Sequence, residues 1–358
     1  MRRYNLNRHR CNSGLTLVEL MVAIAISLLL TVAIGGVFLS SKSSFRYQDA
    51  LSRVQENARF AMEKMSRDIR IAGYNGCGSL STVANVVTGG TGSLWLDLTK
   101  PVMGYEGGVS TFPTEFSLAV AGTDAIILKG VDPSTEFAVI NHNAAAASIT
   151  TTTNTIPAGT ILIISDCSHT SIFQMSGPAS ASHAVIVHNT GTGTPGNCTK
   201  DLGASCPGST PYTFKPGSSL LSMYANGYYI KPSATQVNGV SVGNSLWMRS
   251  LTGQTTGEPA DVELINGVEN MQIEYGVNTN ADSSADKYVK ADSITAADWA
   301  NVVSVKISLL LATPATDNNL SSKSQTYTYN GVTTTATATD RRVRHVYTSI
   351  INLRNRTK

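Results

Sequence analysis

Residues 8–39 read RHRCNSGLTLVELMVAIAISLLLTVAIGGVFL, and the remainder of the chain is arranged around them. A short basic leader ends at Gly14, and about 25 apolar positions follow, with one carboxylate, Glu19, near their start. As a helix, Leu15 to Leu39 rises about 37 Å against a hydrocarbon core of about 30 Å, enough to span a bilayer with some tilt. Arg2, Arg3, Arg8 and Arg10 precede the span, and only Lys42 and Arg46 closely follow it. The leader is therefore expected in the cytoplasm and the rest across the membrane. A secretory signal cut near Ala33, Gly35 or Gly36 is the competing reading. Against it, the apolar run exceeds the roughly 7–15 residues of a secretory core, and the helical pattern continues past that point.

Leu51, Val54, Ala58, Ala61, Met65, Ile69 and Ala72 recur at spacings of three and four, with Arg53, Glu56, Arg59, Glu63, Lys64 and Arg67 on other faces. That is one apolar stripe on an amphipathic helix. No proline interrupts Leu15 to Ala72, which predicts a single helix of about 87 Å. Gly35 and Gly36 weaken it by about 1 kcal/mol each relative to alanine. Four segments follow: a leader over 1–14, a membrane-spanning or filament-core helix over 15–39, its amphipathic continuation over 40–74, and an exported domain over 75–358. The expected fold class is α+β, the long helix laying its stripe on a large antiparallel β-rich domain.

The order of basic leader, glycine, apolar run and early glutamate resembles the class III signal of type IV pilins and type II secretion pseudopilins. The motif here is G-L-T-L-V-E, where that family more often has G-F-T-L-I-E. The resemblance implies that a prepilin peptidase cuts between Gly14 and Leu15 and methylates the amine of Leu15. It also implies that Glu19 meets the amino terminus of a neighbouring subunit during filament assembly. A carboxylate in a bilayer costs on the order of 3 kcal/mol and ordinarily has a partner. Four further blocks narrow the resemblance: QENARFAMEKMSRDIRIAGYNGCG, LINGVENMQIEYGVNTNADSSADKYV, WANVVSVKISLLLAT and DRRVRHVYTSIINLRN. In this order they closely resemble PilW-type minor pilins, which are also similar to the J-type pseudopilin of type II secretion. The implied partners are other minor pilins, the major pilin, prepilin peptidase, the inner-membrane assembly platform and inner-membrane lipid. The implied place is the inner membrane and then the pilus, at its tip. The implied role is a part in starting pilus assembly, with a J-type pseudopilin or a tip adhesin or DNA-binding module as alternatives.

Composition fits an exported β-rich chain: charged residues are 14% of it and the formal charge is +3. Taking away the four leader arginines leaves 23 basic against 24 acidic residues, so no polyanion partner is implied. Cys11 lies in the leader, while Cys77, Cys167, Cys198 and Cys206 lie beyond the span. Four cysteines in an oxidising space suggest two disulfides with three connectivities open; Cys198 with Cys206 and Cys77 with Cys167 is the preferred set. A zinc site would want tighter paired spacing.

Strands are expected at DAIILKGV, TILIISDC, TSIFQM, HAVIVH, SLWMRSL and ADVELI, with a stapled loop from Asn189 to Gly217. LSMYANGYYI is read as two arms around a turn at Asn226-Gly227. The clearest alternation is in VENMQIEYGV and NVVSVKISLLLAT, expected as half-buried antiparallel strands covering the helical stripe. The final run, apolar on both faces from Tyr347 to Leu353, is expected as a central strand.

No H-E-x-x-H, G-x-S-x-G or P-loop occurs, and His142, His169, His183 and His188 are scattered in sequence. The reading is a non-enzyme without a cofactor. Asn278, Asn280 and Asp282 have the first spacings of a calcium loop, with Asp286 beyond. Ser283 and Val289 stand where that loop needs glycine and glutamate, so a polar loop is the favoured account and any calcium site a weak one. The terminal group of Arg341, Arg342, Arg344, His345, Arg354, Arg356 and Lys358 offers phosphate contacts. With few aromatics interleaved and Asp340 beside it, nucleic acid is disfavoured as a partner.

Overall fold

The structure, a computed structural model, describes residues 16–76, 82–108, 112–280, 282, 284–317, 320–321 and 323–355. The chain divides into two compact units, 1–51 and 52–358. Helix α1 (Leu17–Ile71) contributes to both. In the first unit its apolar side chains from Leu17 to Leu39 are exposed. Gly35 and Gly36 stay helical within it.

In the second unit α1 buries Val54, Ala58, Ala61, Met65 and Ile69, with Ala72 just past its end. This is the stripe the spacing predicts, and each of its larger members contributes about 1.5–3 kcal/mol by burial. Gly73, at φ +79°, takes the left-handed turn after the helix, and its N–H donates to the carbonyl of Lys129.

The rest is strand. The first are β1 (Thr82–Asn85), β2 (Val102–Tyr105), β3 (Ala125–Val131), β4 (Phe137–Asn143), β5 (Ser148–Asn154), β6 (Ile161–Ser165), β7 (His169–Gln174) and β8 (His183–Val187). Then come β9 (Ser219–Pro232), β10 (Gln236–Val237), β11 (Val240–Ser241), β12 (Asn244–Ser250) and β13 (Ala260–Asn266). The last are β14 (Val268–Val277), β15 (Lys287–Val289), β16 (Val302–Ala312), β17 (Thr326–Tyr329), β18 (Val332–Thr335) and β19 (Arg344–Asn352).

Strand β9 joins the two arms of the larger sheet. Its first half pairs with β6 and β4, its second half with β3 and β12. A second sheet runs β15-β14-β16-β19, antiparallel throughout. The stripe of α1 packs with residues of both sheets, among them Tyr228 and Leu246 from one and Ile273, Ile307 and Ile351 from the other.

Two expectations are corrected. Asn226-Gly227 does not turn: β9 runs straight through it. Asn226 is buried, its amide donating to Asp68 at 2.7 Å and its carbonyl accepting from Ser250 at 2.6 Å. Gly227 is required by close approach, since an added Cβ would lie 2.7 Å from Trp95 and 2.8 Å from Phe116. Strand β19 is an edge rather than a central strand, pairing among the described residues with β16 alone. Its odd residues Ile351 and Tyr347 join the core, while Ile350 on the opposite face is 54% exposed.

Candidate functional site

The start of α1 is built as a reciprocal cap. Thr16 is the residue before the helix and Glu19 its third residue. The amide of Glu19 donates to Thr16 Oγ1 at 3.2 Å, while the amide and hydroxyl of Thr16 donate to Glu19 Oε2, each at 2.9 Å. This satisfies two amides that a helix start leaves unpaired. Both bonds to the carboxylate fall on one oxygen, and the residue is exposed. Downstream, Ser27 donates to the carbonyl of Ile24 at 2.8 Å and Thr31 to that of Ser27 at 2.7 Å. No hydroxyl of that pair is left bare on an apolar helix, which a lipid environment requires. The helix is long and apolar enough to cross a membrane.

At its other end α1 is pinned to β9 by a buried carboxylate. Asp68, 3% exposed, accepts from Lys64 one turn back at 3.0 Å, from Asn226 at 2.7 Å and from the hydroxyl of Tyr228. Tyr224 donates to the Asp68 carbonyl at 3.2 Å. Burial, with Asp68 beside them, holds the hydroxyls of Tyr224 and Tyr228 well above the ordinary tyrosine range, so both stay protonated as donors.

Two family models match this architecture. One, the prokaryotic N-terminal methylation motif, covers residues 9–39. The other, type IV pilus-assembly protein W, covers residues 227–355, from the second half of β9 through β19. These matches, at the start and in the C-terminal part of the chain, are similarities to a PilW-type minor pilin. No curated protein and no solved structure matches the chain. Residues 9–39 thus place a methylation motif on a helix long and apolar enough to cross a membrane.

Gly14 and Leu15, the expected processing pair, lie outside the described residues, as does Cys77. Cys198 and Cys206 are bonded to each other, their Cα atoms 6.2 Å apart. The amides of the pair donate to Val86 and Asn85, which staples the loop to the end of β1. Cys167 is also disulfide-bonded.

In the polar loop after β14 the acidic side chains serve the backbone. Asp286 accepts from the amide and hydroxyl of Thr279 at 2.6 and 2.8 Å, and Asp282 from those of Ser284. Asn280 donates to both carboxylates at 3.1 Å, and its amide reaches Asn278 Oδ1 at 3.0 Å. Among the described residues no three His, Cys, Asp or Glu side chains are placed to hold a metal ion. The basic group around β19 is partly neutralised: Arg342 and Arg344 pair with Glu269, each at 2.7 Å, and both pair with Asp340. The hydrogen bond from Arg342 holds the Asp340 carboxyl well below the usual carboxylate range.

The structure brings together two histidines that lie 46 residues apart in sequence, His142 on β4 and His188 after β8, with Nε2 atoms 3.2 Å apart. The amide of Phe214 donates to His142 Nδ1 at 3.0 Å, so the proton of that ring sits on Nε2 and is given to His188. His188 must then carry its proton on Nδ1, a buried atom for which no described residue is a well-aligned acceptor. A metal between the two Nε2 atoms would need that proton on His142 Nδ1, where Phe214 already donates. His169 donates to the Leu202 carbonyl at 2.8 Å and His183 to that of Ser180 at 3.0 Å.

Proposed function

We propose that this chain is a minor pilin, a non-enzymatic subunit that helps to start type IV pilus assembly within a minor-pilin complex at the inner membrane. Prepilin peptidase cuts between Gly14 and Leu15 and methylates the new terminus. The segment to Leu39 holds the subunit in the membrane, the domain lies on the periplasmic side, and its surface selects neighbouring minor pilins. Cys77 pairs with Cys167, fixing the exit of the helix to β6–β7.

The observation that carries this reading is the cap at Glu19. An exposed acid, held by Thr16 through one oxygen at the start of a methylation-type apolar helix, is positioned to receive the amine of a neighbouring subunit and set its register. A charge-assisted bond of this kind contributes about 1.5–3 kcal/mol. Glu19→Ala should therefore lower the amount of protein in sheared pili by about ten-fold or more. Its level in membranes and the unfolding temperature of its domain should not change. Undiminished recovery in pili would remove the register role. Deleting the gene should deplete surface pili; loss of protein secretion with pili intact would instead assign the chain to the J-type pseudopilins.

A further inference from the structure

The free side of β19 is an unpaired strand edge framed at both ends. At one end Arg344 turns outward: its amide donates to Gln325 Oε1 at 2.6 Å and its carbonyl accepts from Gln325 Nε2 at 2.8 Å. Past the other end, Leu353 points inward, its amide donating to Val303, and the amide of Arg354 points outward to the carbonyl of Arg70. Alternation along an antiparallel ladder then fixes the direction of every group between. The N–H and C=O of Val346, Thr348, Ile350 and Asn352 face away from β16, and no described residue pairs with them.

Natural sheets blunt such edges with prolines, charges or bulges. Residues 346–352, VYTSIIN, contain no proline and no charge, and their register with β16 has no bulge. Charge is placed at the ends instead. Arg341 and His345 are exposed near the Gln325 end, Arg354 and Arg70 near the other. None of the three arginines makes an ion pair among the described residues, in contrast to the neutralised Arg342 and Arg344.

We propose that β19 is a docking edge that takes one extended, acid-flanked segment of a partner protein as an added strand. Backbone bonds to positions 346, 348, 350 and 352 supply the affinity, and the terminal arginines select carboxylates. This surface is independent of the Glu19 contact.

The test uses the full-length protein in detergent micelles and a labelled peptide of alternating threonine and valine with two glutamates at each end, followed by fluorescence anisotropy. Ile350→Pro removes an outward N–H without touching the β16 ladder, at an exposed edge position where proline is tolerated. Expected is saturable binding of the acidic peptide, weakened about ten-fold or more by Ile350→Pro, by lysine in place of the glutamates, and by N-methylation of alternate peptide amides. The N-methylated peptide needs no protein variant, so it decides the matter even if Ile350→Pro fails to fold. No binding, or equal binding of the N-methylated or lysine-flanked peptide, overturns the proposal.

Discussion

Replacing Asp68 by alanine should destabilise the 52–358 unit by about 3–5 kcal/mol, the range for breaking a buried ionic network from one side. The carboxylate is the common acceptor for Lys64, Asn226 and Tyr228. Its loss leaves a buried amide and a buried hydroxyl without a partner while the tyrosines cannot retreat, because Tyr228 is fully enclosed. For a unit of this size the fall in unfolding temperature is about 10 °C. Asp68→Asn keeps one carbonyl acceptor and should lose less. Thermal unfolding of the full-length chain in micelles checks this, and a shift below about 2 °C for the alanine variant would show that the network is dispensable.

Acidification should destabilise the same unit through the histidine pair. Burial, and then the neighbouring His142, push His188 down to about 4, whereas an unfolded histidine titrates near 6.5. With the folded value below the unfolded one, stability is full above about pH 6.5. It is lost as pH falls toward 4, because only the unfolded chain takes up the proton. The loss approaches about 3 kcal/mol. Asp124 acts in the opposite sense. Burial raises its carboxyl to about 6 against the amides of Gly107 and Ile273, so its contribution grows as pH falls from 6 toward 4. A comparison with His188→Gln separates the two, since Asp124 is common to both proteins and glutamine can still accept from His142. Denaturant unfolding between pH 7 and 4 should show the wild type losing stability relative to the variant; parallel curves would mean that His188 does not titrate in this range.

Much of this architecture was legible from side-chain period alone. The stripe from Val54 to Ala72 and the alternation in β14 and β16 were readable because each is a long run in which burial on one face dominates. Strands β4 and β5 were missed because FAVINHN and SITTTTN are rich in asparagine and threonine, and β5 buries Thr151 as well as Ile149. Asn-Gly was the signal most misread. Asn238-Gly239 and Asn330-Gly331 turn the hairpins β10–β11 and β17–β18, each with positive φ at both residues. Asn226-Gly227 instead lies in a strand, because tertiary partners claim both its polar side chain and the space that glycine leaves.

The functional parts divide in the same way. The expectation for Glu19 rests on a local signal, and what the structure adds there is its cap with Thr16. Asp68 leaves only a faint trace in the sequence: it stands three residues after Met65 and four before Ala72, so its spacing puts a carboxylate on the buried stripe. The His142–His188 pair had no local signal at all, since its members meet only when β4, β5 and β8 pair. The open edge of β19 was hidden by its composition, apolar on both faces although only one is covered.

The central claim is that the chain is a processed pilin subunit, and the amino terminus of the protein recovered from membranes tests it most directly. Intact mass and N-terminal sequencing, in cells with and without prepilin peptidase, should give N-methyl-Leu15 only when the enzyme is present. An intact Met1 in both strains, or a terminus beyond Gly36, would contradict the account and with it the role given to Glu19.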